Sequence, residues 1–126
     1  MSRPTAAILG ASADRSKFGN KSLRAHAAKG YDVYAVNIKG GEVEGQQAFR
    51  TLAEVPVERL KRISIYLPPE VTLQVLDEIA AKGCDELWLN PGTDSPEVLR
   101  KAESLGLNAI SGCSIVSLGL NPAQFA

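Results

Sequence analysis

The first loop of this sequence combines small residues with two cations, a pattern that suits a phosphate group. After a short apolar run, Ala11 and Ala13 keep the loop compact and Ser12 adds a hydroxyl donor. The loop is long, because it extends from Gly10 to Gly19. Arg15 and Lys17 lie between them and could reach an anion. An anion near the start of the following helix is stabilised by free N–H groups and by the helix dipole. We therefore predict a phosphate-binding loop here.

The glycine pattern of this loop differs from the dinucleotide fingerprint G-x-G-x-x-G. Counting from Gly10, Ser12 and Arg15 stand where the second and third glycines would be. An NAD site also usually has an acid at the end of the second strand for the ribose hydroxyls. Asn37 takes that place and Lys39 follows it, so this region favours a phosphate over a bare ribose diol.

Few other side chains could carry out catalysis. His26 is the only histidine, and its mid-helix position indicates a surface or half-buried packing residue away from the strand ends. Cys113 follows the last strand and is either a small buried hydrophobe or a thiol near the mouth of the site. Cys84 is predicted to be structural. The two cysteines do not form a C-x-x-C pair and one histidine cannot complete a common zinc site, so we predict neither a catalytic residue nor a metal site.

The composition excludes several classes of protein. The chain of 126 residues suits one domain, residues 1–126. Its 14 basic and 14 acidic side chains give no net charge, which does not favour nucleic-acid binding. No apolar run approaches the roughly 20 residues of a membrane helix, and the first residues lack a signal-peptide pattern. We expect a cytoplasmic protein with reduced thiols.

Short apolar segments alternate with amphipathic segments about every 25 residues. The predicted strands are Ala6–Gly10, Tyr31–Asn37, Ile63–Leu67, Glu86–Asn90 and Leu107–Ser111. The predicted helices are Asn20–Lys29, Val71–Lys82 and one that begins after the N-cap Ser95 and ends near Leu105, with loops at Lys39–Gly45 and a loop and short helix in Phe49–Leu60. This alternation predicts a single α/β, doubly wound Rossmann-like domain with helices on both faces of the sheet. We expect five parallel strands in the order 3-2-1-4-5.

Ligands of open α/β sheets bind beyond the carboxyl ends of the strands, where the strand order reverses. All five predicted strands end in small, polar or turn-forming residues. Any one such loop can be explained by the turn chemistry alone. The five together indicate a binding edge.

Several segments resemble the small CoA-binding domain proteins, relatives of the N-terminal CoA-binding domain of the succinyl-CoA synthetase α subunit. They are ILGAS, FGNKSLRAHAAKGYDVYAVN, GQQAFRTLAEVP, IYLPPE and LWLNPG. The resemblance runs in the same order from about Pro4 to Leu118 and implies a Rossmann-like fold that binds coenzyme A.

The resemblance also implies roles for particular residues. Gly10, Ala11, Ser12 and Arg15 would contact the CoA phosphates, with Phe18 and Gly19 closing their loop, and Lys39 would neutralise a phosphate. Leu67, Pro68 and Pro69 would lie beside the adenine, and Asn90, Pro91 and Gly92 would face the pyrophosphate and pantetheine. Two departures from the family pattern stand out: Ile38 replaces the proline before Lys39, and Gly112 replaces an arginine before Cys113.

The function expected from these residues is non-enzymatic binding of CoA or an acyl-CoA, as a carrier, a sensor or a partner subunit. The partner of such a module would be a second copy or an unidentified protein, and neither nucleic acid nor a membrane is expected. Two alternatives stay open. One is an NAD(H)-binding redox-sensing protein, and the other is an enzyme that uses Cys113 on a CoA thioester.

Overall fold

One parallel five-stranded sheet forms the centre of the protein, which we describe from a computed structural model covering residues 3–126. In chain order its strands are β1 (Thr5–Leu9), β2 (Asp32–Val36), β5 (Leu60–Ile65), β6 (Cys84–Leu89) and β7 (Ala109–Ser111). The spatial order is β2-β1-β5-β6-β7. A separate hairpin pairs β3 (Glu42–Val43) with β4 (Gln46–Gln47).

Helices cover both faces of the sheet. They are α1 (Phe18–Ala28), α2 (Pro69–Lys82), α3 (Pro96–Ser104) and the single turn α4 (Ser114–Ser117), with 3-10 turns at Leu52–Glu54 and Pro122–Phe125. α1 packs with α4 and the C-terminal 3-10 turn, while α2 packs with α3 and the first 3-10 turn. The predicted fold class, an α/β Rossmann-like domain with helices on both faces, is confirmed.

The predicted strand order 3-2-1-4-5 is wrong, because the third long strand lies on the other side of β1. In terms of these five strands the observed order is 2-1-3-4-5. The outer edge of β2 is occupied by the chain around Phe49, whose N–H donates to Ala35 O at 2.9 Å and whose carbonyl accepts from Asn37 N at 2.8 Å. The third strand therefore pairs with β1, and all its residues except Lys61 are buried, as expected of a central strand.

Helix boundaries follow the predicted capping residues closely. The Ser95 side chain accepts a hydrogen bond from Val98 N at 3.2 Å, and Pro96 occupies the first turn of α3. Helix α1 begins at Phe18 rather than at Asn20. The β3–β4 hairpin was missed, because its strands are only two residues long and its turn uses Glu44 with Gly45.

The core has two layers that follow the alternation of the strands. Ala7 and Leu9 of β1 face the larger apolar cluster under α2 and α3, whereas Ile8 faces the smaller cluster with Leu23 of α1. Polar groups are also buried on the α1 side. His26 is fully buried there, deeper than predicted, and its Nδ1 lies 2.8 Å from Ser22 O.

Within residues 3–126, no helix has the length and apolar character that a membrane crossing requires.

Acid should destabilise the fold through His26. Burial, more than the nearby Arg62 guanidinium, lowers the pKa of His26 from 6.5 to about 4. Between these two values the unfolded chain binds a proton that the folded protein does not, so stability present above pH 6.5 is lost as the pH falls toward 4. This term amounts to about 3 kcal/mol. Urea unfolding at pH 7, 5.5 and 4.5 measures it.

The control for this prediction is His26→Asn, which removes the titrating ring but keeps a donor. The loss of unfolding free energy between pH 7 and 4.5 should be smaller in this variant than in the wild type. Equal losses in the two proteins would assign the acid sensitivity to other groups.

Candidate ligand-binding groove

The groove begins where the carboxyl ends of β1 and β5 separate. β2 pairs with one edge of β1, and β5 pairs with the other edge. The strand order therefore reverses between β1 and β5, which is the switch point of the sheet. The predicted order would have put β6 beside β1 at this point. The loop after β5 therefore stands opposite the first loop.

Gly10 allows three backbone segments to meet at the switch point. Its φ is +85°, and a Cβ built on it would lie 2.6 Å from Tyr66 O. A Cβ on Gly19 would likewise collide with Gly10 O. Gly10 N also donates to Val36 O at 3.0 Å. Backbone without side chains thus forms the floor of the first loop, and α1 starts directly against it.

An open groove of about 870 Å³ runs across these loops. Its lining residues come from the ends of β1, β2, β5 and β6 and from the start of α1. They are Gly10, Ala11, Ser12, Ser16, Lys17, Phe18, Gly19, Asn37, Lys39, Tyr66, Leu67, Pro68, Pro69, Pro91, Gly92 and Thr93. Most of the predicted binding residues are therefore brought together.

The charge of the groove favours anions. Lys17 and Lys39 are its charged lining residues, and no carboxylate is among those named above. Lys17 is also the N-cap of α1, and the first turn of that helix has no side-chain cap and no acidic residue. Uncapped first-turn amides and ammonium groups are donors of the kind that bind anions in proteins.

An apolar pocket of about 270 Å³ adjoins the groove and shares Gly10, Asn37 and Leu67 with it. Ile38 and Val71 also line it, and both have large exposed fractions, 82% and 38%. The remaining lining residues are Leu9, Val36, Arg50, Thr51, Leu52, Val75, Glu78 and Ile79. Such a pocket can take a planar or aliphatic group of modest size beside the anion site.

Two of the predicted binding residues do not line the groove. Arg15 points toward the hairpin, where its Nε lies 3.5 Å from Glu44 Oε2. Asn90 is buried, and its Nδ2 donates to Ser64 Oγ at 2.8 Å and to Ile65 O at 2.9 Å. Its Oδ1 accepts from Ser114 N at 2.9 Å. Asn90 therefore ties β5, β6 and α4 together beneath the groove.

Tyr66 is a groove residue that the sequence prediction missed. It follows β5 directly, and its hydroxyl lies 3.1 Å from Ser114 Oγ. Burial raises the pKa of this phenol, which therefore stays neutral. Ser16 and Thr93 were also missed as lining residues, whereas Asn37 lines the groove at the strand end where the sequence placed it. The position of the missed residues at strand ends or loop ends was the only available signal.

Phe18 lines the groove at the start of α1. Its side chain is 54% exposed, and Lys21 Nζ lies 5.3 Å from its ring centroid.

The two cysteines lie in different surroundings. Cys113 is half-buried at the N-cap of α4. Burial raises the pKa of Cys84 to about 11. Among residues 3–126, no cluster of three or more His, Cys, Asp or Glu residues could bind a metal ion.

A parallel sheet with a small-residue loop at its switch point, two lysines and an adjoining apolar pocket defines a nucleotide-type binding domain of Rossmann-like form. The family model "CoA binding domain" matches residues 4–119. The chain belongs to this CoA-binding domain family.

Two curated relatives come from Pyrococcus furiosus and are the α subunits of acetate–CoA ligase (ADP-forming) I and II. They are 36% and 35% identical to this chain over 83 and 80 residues, in each case 61% of it. The matches cover 18% and 17% of those subunits, so this chain corresponds to less than a fifth of each relative.

Solved structures have the same fold. A conserved hypothetical protein from Pyrococcus furiosus is 35% identical with a TM-score of 0.80, and the match covers 92% of this chain and 99% of that one. The dinucleotide-forming acetyl-coenzyme A synthetase 1 of Ca. Korarchaeum cryptofilum, in complex with phosphate and ADP, gives 26% identity and a TM-score of 0.70. That match covers 84% of this chain and 25% of the synthetase.

Gly10→Ala should disrupt the floor of the groove. The new methyl group would meet Tyr66 O, in a backbone conformation that L side chains rarely adopt. Gly92→Ala is the matched control, since its φ is +90° and a Cβ there would meet no atom within 4 Å. We expect Gly10→Ala to lose about 1–3 kcal/mol more unfolding free energy than Gly92→Ala, the usual cost of overpacking. Chemical denaturation compares them, and equal losses would show that the close approach is not required.

Proposed function

We propose that this protein binds coenzyme A or an acyl-CoA in the groove without turning it over. The observation that carries the proposal is the pairing of Lys17 and Lys39 with the uncapped start of α1 in a groove whose lining residues include no carboxylate. CoA carries several phosphate groups and an adenine. The anion site suits the phosphates, and the adjoining apolar pocket suits the adenine.

The relatives support the choice of ligand. The ligase subunits and the synthetase have names that state action on CoA. The residues matched by the CoA-binding family model, 4–119, include every residue that lines the groove and the apolar pocket. In our proposal Leu67 and the exposed Ile38 and Val71 would flank the adenine. Pro91 and Gly92 would lie along the pantetheine.

The absence of turnover is a separate part of the proposal. The lining residues of the groove include no histidine, cysteine, aspartate or glutamate. Tyr66 is held neutral, and His26 is buried on the α1 side of the sheet without lining the groove. The lining hydroxyl of Ser16 does have a carboxylate partner, since its Oγ donates to Asp14 Oδ1 at 2.6 Å. The same oxygen accepts from Ser16 N at 3.0 Å, so in our proposal this carboxylate shapes an exposed turn of the first loop and does not act as a base. The module would therefore act as a carrier, a sensor or a subunit of a larger assembly.

CoA should stabilise the protein more than NAD, NADH or ATP does. Asn37 stands where an NAD site has an acid, and both ends of its amide are bonded to backbone, so the ribose acceptor of an NAD site is lacking. A ligand at 100 times its Kd stabilises the fold by about 2.7 kcal/mol. Thermal melts with each ligand at equal concentration test this, and a shift with NADH but none with CoA would favour the redox-sensing alternative.

Lys39→Ala should weaken CoA binding by about 10- to 100-fold, because a hydrogen bond to a charged group contributes roughly 1.5–3 kcal/mol. Its loop position means that the fold should change little. Isothermal titration at two salt concentrations measures the effect, which should shrink at high salt because an exposed ion pair is screened. Lys29→Ala, an exposed lysine at the far end of α1, should bind like the wild type. Unchanged affinity in Lys39→Ala would remove this lysine from the site.

Incubation with acetyl-CoA, alone and with ATP, tests for turnover. We expect no sustained release of CoA. Release that disappears in Cys113→Ala would contradict the non-enzymatic proposal and favour the thioester enzyme.

A further inference from the structure

Asn37 connects the two halves of the anion site through its side chain. Its Nδ2 donates to Ala11 O at 2.7 Å, in the first loop. Its Oδ1 accepts from Lys39 N at 2.9 Å, in the loop after β2. Both ends of the amide are thus used by backbone groups, although Asn37 also lines the groove. The side chain holds the site together rather than offering a free group to a ligand.

The segment from Asn37 to Gly40 forms a double turn around Lys39. Gly40 N donates to Asn37 O at 2.8 Å, which closes a four-residue turn with Ile38 and Lys39 at its centre. The bond from Lys39 N to Asn37 Oδ1 adds an Asx turn over the same residues. Outside this turn, Asn37 N donates to Phe49 O at 2.8 Å, which fixes its start. The backbone that carries the Lys39 side chain is therefore held by hydrogen bonds on both sides.

The backbone of Ile38 can accept a proline in this turn, although its side chain lines the apolar pocket. Its side chain is 82% exposed, and among the described residues its N–H makes no hydrogen bond. It occupies the second position of the turn, where proline is favoured because its ring fixes φ. A proline there would stiffen the same backbone without removing an existing hydrogen bond.

We propose that Asn37 is a positioning residue for anion binding, and that its amide sets the turn from which Lys39 reaches the ligand. This inference rests on the proposed binding of CoA. The loop after β2 contains two glycines in succession, Gly40 and Gly41, both with positive φ, so the segment beyond Lys39 has little stiffness of its own. Asn37 supplies the constraint from the other side.

A double-mutant cycle tests whether Asn37 acts through Lys39. Kd for CoA is measured by isothermal titration for the wild type, Asn37→Ala, Lys39→Ala and the double variant, with thermal melts to verify folding. We expect Asn37→Ala to weaken binding about fivefold, the effect of one net hydrogen bond. In the Lys39→Ala background the same change should cost less than twofold, because the lysine that it positions is gone. An equal loss in both backgrounds would overturn the inference.

Proline at position 38 separates positioning from a general loss of structure. Because Ile38 lines the apolar pocket, Ile38→Pro is used as its own reference. Adding Asn37→Ala to Ile38→Pro should weaken CoA binding less than twofold, against about fivefold in the wild-type background, because the ring holds the turn without the amide. This double variant also covers the case in which Asn37→Ala does not fold. An equal loss in the two backgrounds would contradict the inference. A wild-type protein that does not bind CoA would overturn the proposed function itself, whereas wild-type binding with no loss in Asn37→Ala would overturn the role of Asn37 alone.

Discussion

The close approach of bare backbone at Gly10 is the constraint on which the rest of the site depends. Tyr66 O leaves no room for a Cβ on Gly10, and Gly10 O leaves none for a Cβ on Gly19 in the first turn of α1. Because the chain passes here without a side chain, α1 can begin against the end of β1 and direct its uncapped amides into the groove. Lys17 is the N-cap of that helix, so the start of α1 also brings this lysine to the groove.

Hydrogen bonds from a few amide side chains then connect the loops around this point. Asn37 joins the first loop to the Lys39 turn, and Asn20 joins the first loop to the hairpin by donating to Ser12 O at 2.8 Å and to Glu44 Oε2 at 3.1 Å. Asn90 likewise connects β5 with α4 beneath the groove, through Ser64 and Ser114. Each amide pairs a donor and an acceptor with fixed backbone or side-chain groups, so the loops are ordered although they contain many small residues.

The adjoining apolar pocket has a different origin. It lies between the β2 end and α2, under the loop that carries the first 3-10 turn. The Glu78 carboxylate accepts hydrogen bonds from the Leu52 and Ala53 amides and so secures that turn to α2. The groove and the apolar pocket share the turn after β2, which gives Lys39 to one and Ile38 to the other, and they meet at Gly10, Asn37 and Leu67. A ligand with both charged and apolar parts fits this arrangement better than a simple anion.

Local residue patterns determined the elements and the loops of this protein. The alternation of strands and helices, the Ser95 cap and the small residues at the strand ends required only neighbouring residues to be interpreted, because caps and periodicity act over one or two turns. Strand order depends on tertiary contacts. The chain around Phe49 pairs with the outer edge of β2, and β5 pairs with β1 instead. The same dependence holds for Arg15 and Asn90, whose polar groups found partners on the hairpin and in the core. Sequence alone could show that such side chains lie near the ligand edge, but only packing decides whether their hydrogen-bonding groups are left for a ligand.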